Sequence, residues 1–343
     1  MRARPIRPTL VLLLALLAAA CSQAGATPTP PATPSPAIPP SPSASPPTAG
    51  FPVTLTDYSG TDVEIPAEPE TIVSLTPAAT EILFALEAGD RVVAKVEDIA
   101  NHPPEAADVP VVATFAGVDI EKIVALEPDL VIAGGNGGTP EDAIERLRAL
   151  DLPVLVVYAA DIEDVFTDME QIGVAAGEAE RSRDLADAMR AQFDAVDAAT
   201  RELDRPRVFY ETGDQPAIYG VADDSFVASM LELAGADPIT TGSSTVWEMS
   251  QERLVAEDPE IILLGDAAYG VSPEGVAARP GWAEMTAVEA NAIRPIDDIV
   301  VTRPGPRLVQ GLHGLVAAIH HPEVEISGAS SPPSSASPAA SGG

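Results

Sequence analysis

The sequence predicts an α/β protein built as two Rossmann-like lobes joined by a long connecting helix. Three observations carry this reading. Short apolar, β-branched runs alternate with stretches of helical period, the pattern of repeated strand–helix units. The segment Glu121-Lys-Ile-Val-Ala-Leu-Glu-Pro-Asp-Leu-Val-Ile-Ala-Gly134 returns as Glu252-Arg-Leu-Val-Ala-Glu-Asp-Pro-Glu-Ile-Ile-Leu-Leu-Gly265. That spacing is far longer than the period of a solenoid, so it marks two similar lobes and not an array. Between the halves, residues 162–203 contain no proline and carry apolar residues near helical spacing.

In chain order, residues 1–20 form a secretory signal. Three arginines lie within residues 1–7, residues 10–17 are apolar, and Ala18-Ala19-Ala20 precedes Cys21. The apolar run is too short to span a bilayer. Cys21 is the only cysteine of the chain, which removes internal disulfides and cysteine zinc sites. Its position after small residues resembles a bacterial lipobox, whose cysteine is lipidated and becomes the mature N-terminus. Ordinary signal cleavage would leave Cys21 incidental. Residues 21–50 are mostly Pro, Thr, Ser and Ala, without charge, and cannot bury a core; they read as an extended tether. The first lobe is expected over 51–161, with strands at 71–75, 91–95, 129–133 and 153–158. The connector covers 162–204, as one long helix or two abutting ones ending before Pro206. The second lobe is expected over 205–325, with strands at 207–211, 217–220, 260–264 and 299–301. Residues 326–343 are low in complexity and read as a disordered tail.

The chain of 343 residues carries 52 Asp+Glu against 19 Lys+Arg, a formal net charge of −33. All the acids fall within 51–325. Such a surface excludes a nucleic acid held by phosphate neutralisation, and repels anionic membranes. Any membrane association is therefore expected through the lipid anchor alone.

Several motifs together resemble class III substrate-binding proteins of ABC importers, the group that takes up cobalamin, iron–siderophores and haem. They are Thr71-Ile-Val-Ser-Leu-Thr-Pro-Ala-Ala-Thr-Glu-Ile-Leu-Phe-Ala-Leu86, His102-Pro-Pro-Glu-Ala106, the Glu121 repeat, Arg207-Val-Phe-Tyr210, Ser250-Gln-Glu252, Pro280-Gly-Trp282 and Arg303-Pro-Gly-Pro-Arg-Leu308. The resemblance covers about residues 51–321 and leans to the cobalamin-binding branch. It implies an extracytoplasmic lipoprotein that captures a metal chelate between its lobes and delivers it to a permease dimer with ATPase subunits. It implies no catalysis and no resident cofactor. The alternatives are a ferric-siderophore or haem receptor of the same family, a ligand-sensing lipoprotein, or an extracellular enzyme on the same scaffold. No nucleophile–base pair is visible to favour the enzyme.

Glu121 and Glu252 hold equivalent places in the repeat, so each lobe should project one carboxylate. Two rigidly spaced acids suit basic pockets on a pseudo-two-fold partner; in the resembled family they engage permease arginines. The bland alternative is a solvated helix-start carboxylate favoured by the helix dipole. Thr76, Phe115 and the run Gly134-Gly135-Asn136-Gly137-Gly138 lie at the C-terminal ends of predicted strands, the edge where α/β proteins bind ligands. The glycines would let a bulky ligand approach backbone N–H groups, or make only a turn; they fit neither a phosphate loop nor a dinucleotide fingerprint. Aromatics form only 4% of the chain, so Phe115, Tyr158, Tyr210, Tyr219 and Trp247 stand out as rings for stacking on a planar macrocycle, or as core. Compared with familiar corrinoid binders, Ile99 and Gly134 replace large aromatics, Phe115 replaces a tryptophan, and Trp247 lacks the usual following proline. Arg303 is read as an anion or amide contact and Arg307 as a structural partner of an acid. Of the four histidines, His313, His320 and His321 sit in the terminal helix region and His102 in a loop before Pro103-Pro104, so a free-metal-ion site, which needs several such ligands from both lobes, is not expected.

Overall fold

The computed structural model describes residues 50–320. The expected signal, Cys21, the tether up to residue 49 and the tail lie outside the described residues.

A hairpin of β1 (Val53–Thr56) and β2 (Asp62–Ile65) opens this part of the chain. The first lobe follows as β3 (Ile72–Ser74), α1 (Pro77–Ala85), β4 (Val92–Val96), β5 (Val111–Thr114), β6 (Gly117–Val118), α2 (Ile120–Ala125), β7 (Leu130–Gly134), α3 (Glu141–Arg148) and β8 (Val154–Val157). Its sheet runs β6-β5-β4-β3-β7-β8 and is parallel apart from β6. Two helices, α4 (Ile162–Ala175) and α5 (Ala179–Thr200), lead to the second lobe. That lobe contains β9 (Arg207–Glu211), β10 (Ile218–Tyr219), α6 (Phe226–Leu233), β11 (Asp237–Pro238), β12 (Glu248–Met249), α7 (Gln251–Glu257), β13 (Ile261–Leu264), α8 (Pro273–Ala277), α9 (Thr286–Glu289), β14 (Ile293–Pro295), α10 (Asp298–Thr302) and α11 (Leu308–His320). Its parallel sheet runs β11-β9-β13-β14, the same order as β4-β3-β7-β8 of the first.

The repeat is the frame of both lobes. Asp119 caps α2 by accepting the Lys122 N–H, and Ser250 caps α7 by accepting the Arg253 N–H. After each helix the chain turns through a left-handed residue, Glu127 (φ 47°) and Asp258 (φ 46°). Pro128 and Pro259 then bar continuation of the helix. The next acid joins the repeat strand to the first strand of its lobe. Asp129 accepts the Thr71 N–H at 2.9 Å, and Glu260 accepts the Arg207 N–H at 3.0 Å. Every residue of β7 and β13 is buried, as expected of parallel strands covered on both faces. Alternate residues feed opposite faces: Ile72, Leu130 and Ile132 pack toward α1 and α4, while Val73, Val131 and Ala133 pack toward α2 and α3. One apolar cluster continues from the first face through Phe166, Met189 and Phe193 into Tyr210, Leu231 and Leu312 of the second lobe.

Of the two forms expected for 162–204, the structure has the second, two abutting helices, α4 and α5. The chain breaks at Gly177 (φ 80°), and Gly173 lies so close to Ser182 that a Cβ there would sit 2.1 Å from the hydroxyl. Arg91 fixes the corner by donating to the Ala176 carbonyl and to Glu178, each at 2.7 Å. Only α5, 22 residues or about 33 Å long, carries the chain across. One expectation changes, at 299–301, expected as a strand and found as helix α10. Asp297 caps it by accepting the Ile299 N–H, and the Thr302 hydroxyl donates to the Asp298 carbonyl. Packing of Val300 and Val301 in the core overrides the strand preference of the β-branched run.

Candidate functional site

A cavity of about 610 Å³ opens where the C-terminal ends of β3, β7 and β8 face the second lobe. Thr76 begins one wall. Its hydroxyl caps α1 by accepting the Ala79 N–H at 3.0 Å, and Pro77 supplies the fixed φ of the first turn. The methyl of Thr76 packs on Gly134 so closely that a Cβ at Gly134 would lie 2.8 Å away. Gly135 is similarly restricted, because a Cβ there would meet the Tyr58 ring at 2.5 Å. The N–H groups of Gly134, Gly135 and Gly138 are already donated, to Thr139 Oγ1, the Val157 carbonyl and the Gly135 carbonyl. At these three positions the glycines serve close packing, and their N–H groups are not open to an anion.

The apolar part of the wall comes from Ile82, Val157, Tyr158, Phe226 and Trp247. Tyr158 is braced by Tyr58, with ring centroids 4.9 Å apart. Trp247 enters from the second lobe and is 45% exposed. Its carbonyl accepts the Gly220 N–H at 2.9 Å, which fixes its strand end.

Among the described residues, Arg303 is the one basic side chain on the cavity wall. It is already engaged. Its guanidinium donates to Glu81 at 2.6 Å and to Asp98 at 2.7 Å, and Arg307 donates to the same Glu81 at 2.6 Å. Burial acts to raise the Asp98 pKa, but hydrogen bonds from Arg303 and from the Ala100 and His102 N–H groups hold it below the usual carboxylate value. Burial likewise opposes the charge on Arg303, and its two carboxylate partners more than restore it. The expectation of an open anion contact at Arg303 is therefore replaced by a closed ionic cluster across the lobes. Arg307 pairs with an acid as expected.

Asp168, on α4, is one of 52 acids and is not among the sequence-derived candidates. It lines the cavity, is half-buried, and among the described residues has neither a hydrogen-bond nor an ion-pair partner. Burial, with Asp164 one turn away, pushes its pKa up to about 7. A signal was present: Asp168 interrupts the apolar stripe of Val165, Met169 and Ile172 that α4 turns toward the core.

The remaining candidates lie elsewhere. Phe115 is 97% exposed at the β5–β6 turn and does not line this cavity. Tyr210 is wholly buried in β9 and its hydroxyl donates to Asp298 at 2.8 Å, so it is a core residue of the second lobe and not a cavity ring. Burial, then the Asp298 carboxylate, raises its pKa far above the ordinary tyrosine value. Glu121 and Glu252 are exposed in the first turns of α2 and α7, at matched positions. His102, His313 and His320 stand off the cavity wall.

Comparison with known proteins agrees with this architecture. The periplasmic binding protein family matches residues 72–300. An ABC transporter substrate-binding lipoprotein of Bacillus subtilis, itself uncharacterized, is 34% identical over 278 residues, 80% of this chain and 87% of its own. A vitamin B12-binding protein of Vibrio parahaemolyticus is 26% identical over 245 residues, 71% of this chain and 86% of its own. Among solved structures, the periplasmic vitamin B12 binding protein of Vibrio cholerae superposes with a TM-score of 0.64 at 25% identity, covering 74% of this chain and 97% of that one. The periplasmic heme-binding protein of Roseiflexus gives 0.64 at 26% identity, covering 73% and 97%.

Proposed function

The chain belongs to the periplasmic binding protein family, and on that footing we propose that it is the extracytoplasmic receptor of an ABC importer, capturing a corrinoid between its lobes and presenting it to the permease. The observation that carries the reading is the cavity between the two parallel sheets, walled by Tyr158, Phe226 and Trp247. Planar rings of this kind favour a flat macrocycle, each stacked contact contributing about 0.5–1.5 kcal/mol beyond its buried area. A corrinoid exceeds the cavity in size, so part of it would stand at the rim. Phe115, an almost fully exposed ring on a short turn of the first lobe, is suited to cover that part. Thr76, Gly134 and Gly135 shape the wall from the first lobe, and Arg303 holds the lobes together beside it. Relatives whose names specify vitamin B12 or cobalamin, from Vibrio and from Halobacterium salinarum, favour the corrinoid over haem or a siderophore.

In this reading Glu121 and Glu252 dock on basic pockets of the permease dimer, whose ATPase subunits supply the energy. Cys21 carries lipid and the proline-rich segment after it is the tether. The receptor binds and releases without catalysis.

A thermal-shift panel of cobalamin, cobinamide, haem and ferric siderophores on the full chain tests the reading. A ligand present at 100 times its Kd should add about 2.7 kcal/mol of stability. The corrinoids are expected to give the largest shift; a panel led by haem or a siderophore would move the chain to another branch of the family.

A further inference from the structure

The charge of the cavity wall selects among metal chelates more sharply than its shape. Arg303, the sole base on the wall among the described residues, is matched by Glu81 and Asp98. What remains is acidic: Asp168, Asp223 and Asp224. Asp223 accepts the Gly242 N–H at 2.9 Å, and Asp224 is exposed at the mouth. Asp168 differs from both, since it is half-buried and no group among the described residues donates to it.

The elements around Asp168 provide no cation. Asp164, on the same helix, is a like charge that accepts the Ala160 N–H. Of the three arginines of α5, Arg190 is held by Glu163, Glu170 and Asp187, Arg181 by Glu87 and Glu178, and Arg183 does not line the cavity. On α1, the one charged residue is Glu81, bound by Arg303 and Arg307. On α6 it is Glu232, and β1 has none. A carboxylate withdrawn from water without a donor destabilises the fold, and here it faces the space a ligand would fill. We propose that Asp168 is a ligand-recognition residue: its carboxylate accepts a hydrogen bond from an N–H or ammonium donor of the bound chelate, so the cavity takes neutral or cationic chelates rich in such donors and rejects anionic ones. This rests on the binding-protein reading and extends it to the charge class of the ligand. The rise of its pKa toward neutrality is what an acceptor waiting for a donor would show.

The test compares the wild-type full chain with Asp168→Asn, which keeps the shape and removes the charge. Three probes are titrated at pH 8: cyanocobalamin (neutral, with peripheral amides), ferrioxamine B (cationic, with a terminal ammonium) and haemin (two carboxylates). The wild type is expected to prefer one or both of the first two. Asp168→Asn should weaken that binding by about tenfold, the range of a hydrogen bond to a charged group, and narrow the discrimination against haemin. Without ligand, Asp168→Asn should melt at a higher temperature than wild type, since it relieves an unmatched charge. Binding of ferrioxamine B but no corrinoid, weakened by the substitution, would overturn the corrinoid reading and leave the role of Asp168 intact. A preference for haemin, equal affinities of variant and wild type within twofold, a lower melting temperature for Asp168→Asn, or no binding of any probe would each overturn the inference.

Discussion

Arg303 and Glu81 tie the two lobes together: the Arg303 guanidinium donates to a Glu81 carboxylate oxygen at 2.6 Å, with side chains only 12% and 3% exposed. Asp98 completes the bond from the other side, and Arg307 shares Glu81. The contact joins residues more than 200 positions apart, on α1 and after α10. It therefore bears on how the lobes face each other as well as on stability.

Arg303→Ala would leave Asp98 buried without its main cation. Removing one member of a buried pair typically costs about 3–5 kcal/mol, and chemical denaturation should show a loss of that size. Arg307→Ala should cost less, because Glu81 keeps Arg303 and Arg307 is more exposed. Equal stability of Arg303→Ala and wild type would mean the cluster does not hold in solution.

A second buried pair lies within the second lobe. Arg279 donates to both oxygens of Glu211, at 2.6 and 2.7 Å, and reaches Asp214 at 3.0 Å, while the Glu211 side chain is wholly buried. Arg279→Ala is expected to destabilise by about 3–5 kcal/mol. It would also remove the guanidinium stacked 4.7 Å over the buried Trp282 ring, so the loss should appear in tryptophan fluorescence as well as in the denaturation midpoint.

Asp168 and Asp266 each make stability fall as pH rises. Asp266 is buried with both oxygens unpartnered; burial, then the neighbouring Glu211, raises its pKa to about 6. Asp168 is raised to about 7. In each case the folded state holds its proton more tightly than the unfolded chain, where the value is about 3.9. Their contribution to stability is full below pH 4 and is lost as pH rises through 6 to 7. Asp98 works in the opposite sense, stabilising above the ordinary carboxylate value and losing that contribution in acid. Comparing melting temperatures at pH 5 and pH 8 for wild type and Asp266→Asn checks the sign. The variant should gain more on wild type at pH 8 than at pH 5.

Glu121 and Glu252 are exposed and make no ion pair among the described residues, so replacing both with alanine should change stability by no more than about 0.5 kcal/mol. At the permease they would meet arginines, where losing a partner costs about 2–5 kcal/mol. The double variant should keep its ligand affinity while uptake at limiting receptor falls at least tenfold. Normal uptake would return both residues to solvated helix starts.

Much of the frame was legible in the sequence because parallel strands buried on both faces give continuous apolar runs. The segments 130–134 and 261–264 stand out for that reason, and the repeat around them fixes two lobes before any geometry is known. The run 299–301 misled because Ile-Val-Val reads as strand unless the Asp297 cap is given weight. Tyr210 stands out as a cleft ring only because aromatics are scarce, yet it lies within Val208-Phe209-Tyr210, a fully buried stretch of β9. Exposure of a ring cannot be read from its rarity. Asp168 was hidden for the opposite reason: with so many acids, only its place on an apolar helix stripe distinguishes it. The Arg303 cluster joins residues too distant in sequence for any local pattern to couple.

The capture of a corrinoid in the cavity between the lobes is tested most directly by equilibrium dialysis of cyanocobalamin against the full chain and its Trp247→Ala variant. Wild type should bind one molecule per chain, saturably. Removing the Trp247 ring, which is half-exposed on the cavity wall, should weaken binding by about 1–3 kcal/mol, five- to over a hundredfold. No saturable binding by the wild type, or the same affinity in both proteins, would contradict the account.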